Sequence, residues 1–177
     1  MSLRGRERSW SSTHTRSPAG AFESVQRIAL PAQVVERSSA GARRLGELYW
    51  CEVERSTFGV IRSHSDAGGL EVRLLGIGPA LLRFGQPEHV VSSRSVSCLY
   101  PIRGGLLARS PAGSISFTQT GLDTVEVSSA IEGFFPRLAV RHPCRRWHGL
   151  LYLQVQARLH VALGRRYFAR LSQEANR

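Results

Sequence analysis

Lysine is missing from these 177 residues; all 24 basic side chains are arginine. There is therefore no P-loop lysine to reach a nucleotide phosphate, no amine for a Schiff base and no anchor for pyridoxal phosphate. A bias toward GC-rich codons accounts for arginine throughout, so single arginines are not read as chosen over lysine. Cysteine is scarce as well. Cys51, Cys98 and Cys144 lie far apart without paired spacing, which fits a reducing, cytoplasmic setting better than a disulfide framework. No run approaches the roughly 18 consecutive apolar residues of a membrane span. The hydrolase signatures Gly-x-Ser-x-Gly and His-Glu-x-x-His are absent. Gly76-Ile77-Gly78-Pro79 begins like a dinucleotide fingerprint, but it lacks the third glycine and carries proline where a helix would receive phosphate. It reads as a hairpin turn.

What is present is ordinary in bulk, with 42% apolar and 21% charged residues. A chain of this length buries roughly 70% of its unfolded surface, enough for one core without disulfides or metal. The net charge of +11 is unevenly spread. Residues 1–44 hold eight Arg against three acids, 45–136 seven against nine, and 137–177 nine against one, for nets of +5, −2 and +8. Two basic ends on a near-neutral body suggest attraction to an anionic partner, nucleic acid or an acidic membrane surface, through Arg145, Arg146, Arg158, Arg165, Arg166 and Arg170. No zinc finger, helix-turn-helix or aromatic RNA-binding motif accompanies them, so only nonspecific attraction follows. The alternative is a solvated tail and a solvated helix face.

Along the chain, Met1 to Ala21 is rich in Ser and Arg, lacks the apolar middle of a secretory signal and has too few apolar residues to offset its ordering entropy. It is expected to be a mobile tail, with residues 22–177 forming a single α+β domain. Val25, Ile28 and Leu30 suggest an extended piece, after which Pro31 can open a helical turn or two through Val35. From Leu48 onward, short alternating runs predict antiparallel strands: Tyr49-Cys51-Val53, Phe58-Val60-Arg62, Leu70-Val72-Leu74, Ala80-Leu82-Phe84 and Val96-Cys98-Tyr100. Leu106–Ala108 and Ile115–Gln119 are expected as a hairpin, with Val125 and Val127 opening the last run. Asp66–Gly69, Gly76–Pro79, Gly85–Pro87, Gly104-Gly105 and Gly121 mark the turns. The expectation is thus a curved antiparallel sheet of seven or eight strands in a simple meander. Beyond Pro143, Arg145 to about Glu174 should form one long helix, because Trp147, Leu151, Val155, Leu159, Leu163, Tyr167 and Leu171 recur every four residues. Gly164 interrupts it, which implies a kink or close packing there.

Chemistry-bearing groups are few. His142, Cys144 and His148 gather beside His160, but without the paired spacing of zinc ligands, so no metal is expected. Glu52 and Glu54 would share a strand face, as a carboxylate pair for acid and base work or as ordinary solvent-facing residues. Tyr49, Phe58, Phe84, Tyr100, Phe117, Trp147 and Tyr152 fall where they could face a space between sheet and helix, as a ligand pocket or as plain core. No cofactor is expected.

The extended piece leading into Ala29-Leu30-Pro31-Ala32-Gln33-Val34-Val35, then a run of strands and a long final helix, resembles the START-like helix-grip superfamily (SRPBCC, the polyketide cyclase and lipid-transport proteins). The resemblance implies a curved sheet wrapped around the C-terminal helix, with an apolar or aromatic small molecule held between them. Any activity would be of the cyclase or hydratase type, and simple binding is the leading expectation. An up-and-down β-barrel with an appended helix fits the same pattern.

Overall fold

Alternation of period two puts every second side chain of a strand on one face, and the longest runs of this chain obey it closely. A computed structural model describes residues 10–122, 124–137 and 161–175. Nine strands occur among them: β1 (Trp10–Arg16), β2 (Phe22–Leu30), β3 (Ile61–Asp66), β4 (Gly69–Leu74), β5 (Ala80–Phe84), β6 (Glu88–Val91), β7 (Ser95–Gly104), β8 (Ser114–Thr120) and β9 (Val125–Phe134). Helix α1 (Ser39–Ser56) lies between β2 and β3, and a C-terminal helix, α2, covers 161–174. Every strand pair is antiparallel, in the order β1-β2-β9-β8-β7-β5-β4-β3, with β6 also on β7. The fold is α+β with an open sheet, since β1 and β3 are its edges among the described residues; this sets the barrel alternative aside.

The sheet is not a simple meander. β2 pairs with the last strand (Ile28 opposite Val127), so the chain leaves β2 through α1 and re-enters at the far edge as β3. Val96, Cys98, Tyr100 and Ile102 of β7, Ile115 and Phe117 of β8, and Val125 and Val127 of β9 are buried on the inner face. Register shifts within β2–β9, β4–β5 and β5–β7 mark bulges, which add twist and curve the sheet toward the helices.

The alternating Tyr49-Cys51-Val53, expected as a strand, lies instead in the second half of α1. Five residues of alternation also fit a helical stripe; the deciding residues are upstream, where Ala42, Leu45, Leu48, Tyr49 and Val53 recur at spacings of three and four and are all buried. Ser38 caps the helix, its hydroxyl accepting from the Gly41 amide at 3.1 Å. A Cβ at Gly46 would stand 2.3 Å from the Tyr100 hydroxyl, so glycine there lets α1 lie close on β7. The helix expected to open at Pro31 does not form. Residues 31–38 are bends, tied down by the buried Gln119 amide: its Oε1 accepts from the Val34 and Val35 amides at 2.8 and 3.1 Å, and its Nε2 donates to the Val35 carbonyl at 2.8 Å. One side chain satisfies three backbone groups that no ladder reaches.

Three further expectations change. Residues 10–21 of the segment expected to be a mobile tail form β1 and its turn into β2, with Trp10 opposite Ile28. An edge strand exposed on most of its surface needs backbone pairing and one anchor, here Trp10, which also carries the Arg165 guanidinium 4.8 Å over its ring. Leu106–Ala108 does not pair with β8. Positive φ at Gly104 and Gly105 ends β7, and the Leu106 and Leu107 amides then donate to the Ala80 and Leu81 carbonyls at 3.0 Å. β8 pairs with β7 itself, Ile115 opposite Tyr100. Finally, β6 was not anticipated: it is four residues long and mostly exposed.

Residues 145–160 of the expected long helix lie outside the described residues; 161–174 are helical. Leu163, Tyr167, Phe168 and Leu171 are buried, and such side chains contribute about 1.5–3 kcal/mol each. The Tyr167 hydroxyl donates to the Leu45 carbonyl at 3.2 Å, joining α2 to α1. Gly164 marks close packing, since a Cβ there would fall 1.6 Å from Gln26 Oε1 on β2.

Candidate ligand-binding cavity

Helix α1 faces the sheet with Tyr49 and Trp50, adjacent residues that diverge by about 100° around the helix and so reach different neighbours. Tyr49 packs on Phe117 (ring centroids 4.5 Å apart) and edge-on to Tyr167 (5.5 Å); Trp50 packs on Phe84 (5.2 Å) and edge-on to Tyr100 (5.7 Å). These separations lie in the favourable range for aromatic pairs and knit α1, α2, β5, β7 and β8 into one cluster.

Beside the cluster is a cavity of about 170 Å³. Tyr49, Trp50 and Val53 of α1 form one wall, and Leu163 of α2 adds to it. The sheet side comprises Phe22, Ile61, Val72, Leu81, Leu82, Phe84, Ile102, Ile115, Ile131 and Phe134, with Leu107 from the loop after β7. Every one of these side chains is apolar or aromatic. A cavity of roughly 150 Å³ lined in this way stays dry and accommodates a benzene-sized molecule, whereas drug-sized ligands occupy about 300–1,000 Å³. The volume here suits one ring or a short acyl chain.

The polar groups around the cavity are neutral. Burial pushes the Tyr49, Tyr100 and Tyr167 phenols well above their ordinary range. Burial likewise drives the Cys98 thiol up to about 11, with a contact to the Tyr100 hydroxyl drawing it partly back. A thiol in that state is a small hydrophobe rather than a nucleophile. The Trp50 indole N–H is buried without a hydrogen-bond partner of normal geometry, although it lies near enough to the Tyr100 hydroxyl to favour its ionised form slightly. An orphaned buried donor is uncommon and costs about 1–3 kcal/mol.

Of the residues expected to form a pocket, Tyr49 and Phe84 lie at the cavity wall, while Tyr100 and Phe117 are buried in the aromatic cluster behind it. Phe58 is elsewhere: it follows the end of α1 with φ 52°, is 95% exposed and faces no core. Trp147 and Tyr152 lie outside the described residues. Aromatic residues are the minority of the wall; its strand-borne aliphatic part is Ile61, Val72, Leu81, Leu82, Ile102, Ile115 and Ile131.

Other candidate groups separate. Glu52 and Glu54 sit on α1, where residues two apart point to different sides. Glu52 accepts from Ser56 Oγ at 3.1 Å and lies 3.9 Å from Arg170; Glu54 accepts from the Ser63 amide and hydroxyl at 2.8 and 2.6 Å. They make no acid–base pair. His142, Cys144 and His148 lie outside the described residues, as do His160, Arg145, Arg146 and Arg158. Arg165 is engaged over Trp10, and Arg170 is held by Cys51, Glu52 and Glu174; the Cys51 contact is the main reason its ionised form is favoured. Arg166 is exposed. Among the described residues, no helix is long and apolar enough to cross a membrane.

No protein-family model matches the chain, and no curated protein matches it. Among solved structures, the chain is similar to the solution NMR structure of CalU16 from Micromonospora echinospora, at 12% identity over 98% of this chain and 77% of that one, with a TM-score of 0.45.

Proposed function

We propose that this chain binds an apolar or aromatic small molecule between its sheet and its helices, in the manner of the helix-grip proteins it resembles. The observation that carries this reading is the cavity of about 170 Å³ bounded by apolar side chains from both helices and from most strands of the sheet. A ligand filling it would take these apolar walls out of water, a gain of about 25 cal/mol per Å² covered. The contacts that such a wall offers a ligand are dispersive. Neutral phenols and a protonated thiol around the site favour holding a ligand over transforming it. Of the arginines that would meet an anionic partner, Arg165 and Arg170 are engaged within the fold, Arg166 is exposed, and Arg145, Arg146 and Arg158 lie outside the described residues.

Two steps test the proposal: organic extraction of the purified chain with mass spectrometry of the extract, then calorimetric titration with indole and toluene as single-ring probes. A co-purified apolar molecule, or saturable binding of a probe that weakens in an Ile131→Trp variant filling the cavity, supports it. An empty extract together with no probe binding overturns it.

A further inference from the structure

Exposed apolar side chains scattered singly are normal on a protein surface, but five of the large ones here gather on two neighbouring turns. Phe58 and Val60 lie on the turn from α1 into β3, and Leu74, the last residue of β4, leads into the turn to β5 that carries Leu75 and Ile77. The turns are bound together: the Leu75 amide donates to the Val60 carbonyl at 2.7 Å, and Ile61 pairs with Leu74. Phe58 is 95% and Ile77 91% exposed, so neither contributes to the core. Phe58 and Leu75 are also the two non-glycine residues with positive φ among those described, at 52° and 54°. Left-handed backbone is unfavourable for a bulky side chain, and here it holds apolar side chains in water. Both local choices oppose folding, and such conflicts concentrate at functional sites.

The charge around the turns indicates what they meet. Residues 57–62 and 74–78 contain no carboxylate, and the neighbouring Glu54, half-buried, is turned to the Ser63 amide and hydroxyl, while Arg62 runs between the turns, its Nε donating to the Gly59 carbonyl at 3.3 Å and its Cδ 3.2 Å from where a Gly76 Cβ would stand. Arg55, exposed on the last turn of α1, flanks them. Neither arginine is in an ion pair among the described residues. We propose that this corner is a docking site for an anionic lipid bilayer, with Phe58, Leu75 and Ile77 entering the acyl boundary and Arg55 and Arg62 meeting headgroup phosphates. Protruding turn tips of this size suit penetration of a soft interface; a stable protein interface needs about 800 Å² of complementary surface on each partner. The surface stands independently of the cavity reading, although Ile61, at the start of β3, also lines the cavity.

The test is sedimentation of the full chain with vesicles of phosphatidylcholine alone, or with about a third phosphatidylglycerol, at low and high salt. The chain should pellet with the anionic vesicles and release at high salt. Phe58→Ser with Ile77→Ser should lower partitioning roughly tenfold, as should Arg55→Gln with Arg62→Gln, whereas Leu122→Ser, an exposed apolar change on another turn, should leave it unchanged. Circular dichroism and thermal unfolding confirm that each variant is folded, as expected for changes at exposed side chains. Failure of the chain to pellet overturns the proposal. So does wild-type partitioning by both double variants, which would assign any binding to arginines elsewhere, and so does a change in sedimentation velocity on mutation without a change in vesicle binding, which would mark a self-association surface.

Discussion

Replacing Gly164 with alanine tests how α2 sits on the sheet, because two effects of known size oppose each other there. In an exposed helix the change stabilises by about 1 kcal/mol, through reduced freedom of the unfolded chain and better helix propensity. At this position the new methyl would stand 1.6 Å from Oε1 and 2.7 Å from Cδ of Gln26, a side chain buried on β2. A flexible amide can usually swing aside, but this one has 0% exposure and Val127 and Ser129 of β9 beside it, so it has little room to move. Overpacking at so short an approach costs roughly 2–3 kcal/mol. The expected net is a loss of about 1–2 kcal/mol in urea unfolding, with the slope of the transition unchanged. Shortening the obstacle should reverse the sign relative to its own background: Gly164→Ala added to Gln26→Ala should be neutral or stabilising. Stabilisation of Gly164→Ala in the wild-type background would refute the close approach of α2 to β2.

Gln119→Leu should cost about 2–4 kcal/mol in the same assay, because it strips partners from the Val34 and Val35 backbone; a loss below 0.5 kcal/mol would mean water replaces them freely. Phe58→Gly should raise stability by roughly 0.5–1 kcal/mol, since it relieves left-handed strain without surrendering burial, and a decrease would show that the side chain packs. Alkaline pH should destabilise the fold. The Cys98 thiol ionises near 9 in the unfolded chain and at about 11 when folded, and the buried tyrosines are raised in the same sense, so their contribution is full below about pH 9 and is lost as pH climbs through the folded values. Cys98 alone accounts for something on the order of 2 kcal/mol; denaturation midpoints that stay level from pH 8 to pH 11 would contradict this.

Strands β4, β5, β7, β8 and the start of β9 were legible in sequence because each buries one face, and burial of one face writes itself as alternation. α1 was not. Its visible half, Tyr49-Cys51-Val53, alternates by accident of Cys51 lying near the helix flank, while the residues that reveal the helix, Ala42 and Leu45, sit among arginines and glycines. β1 escaped notice because composition measures how much apolar area a segment can bury, whereas an edge strand is held largely by backbone bonds to its neighbour. Phe58 misled for a related reason: Phe58-Val60-Arg62 alternates, but the helix end above it turns through Phe58 and Gly59, both at positive φ, and sends the ring outward. The cavity was half visible. Aromatic residues such as Tyr49 and Phe84 announce themselves, but nothing local distinguishes an isoleucine beside a void from one in solid core.

The isoleucines offer a direct reading of the proposed ligand site between sheet and helices. There are six in the chain; Ile61, Ile102, Ile115 and Ile131 line the cavity, whereas Ile28 lies elsewhere in the core and Ile77 projects into solvent. With δ1 methyl groups labelled and observed by NMR during titration with indole, the four cavity methyls should shift together and saturably while Ile28 and Ile77 hold still. Unmoved cavity methyls, or equal shifts of all six, would contradict the cavity as the binding site.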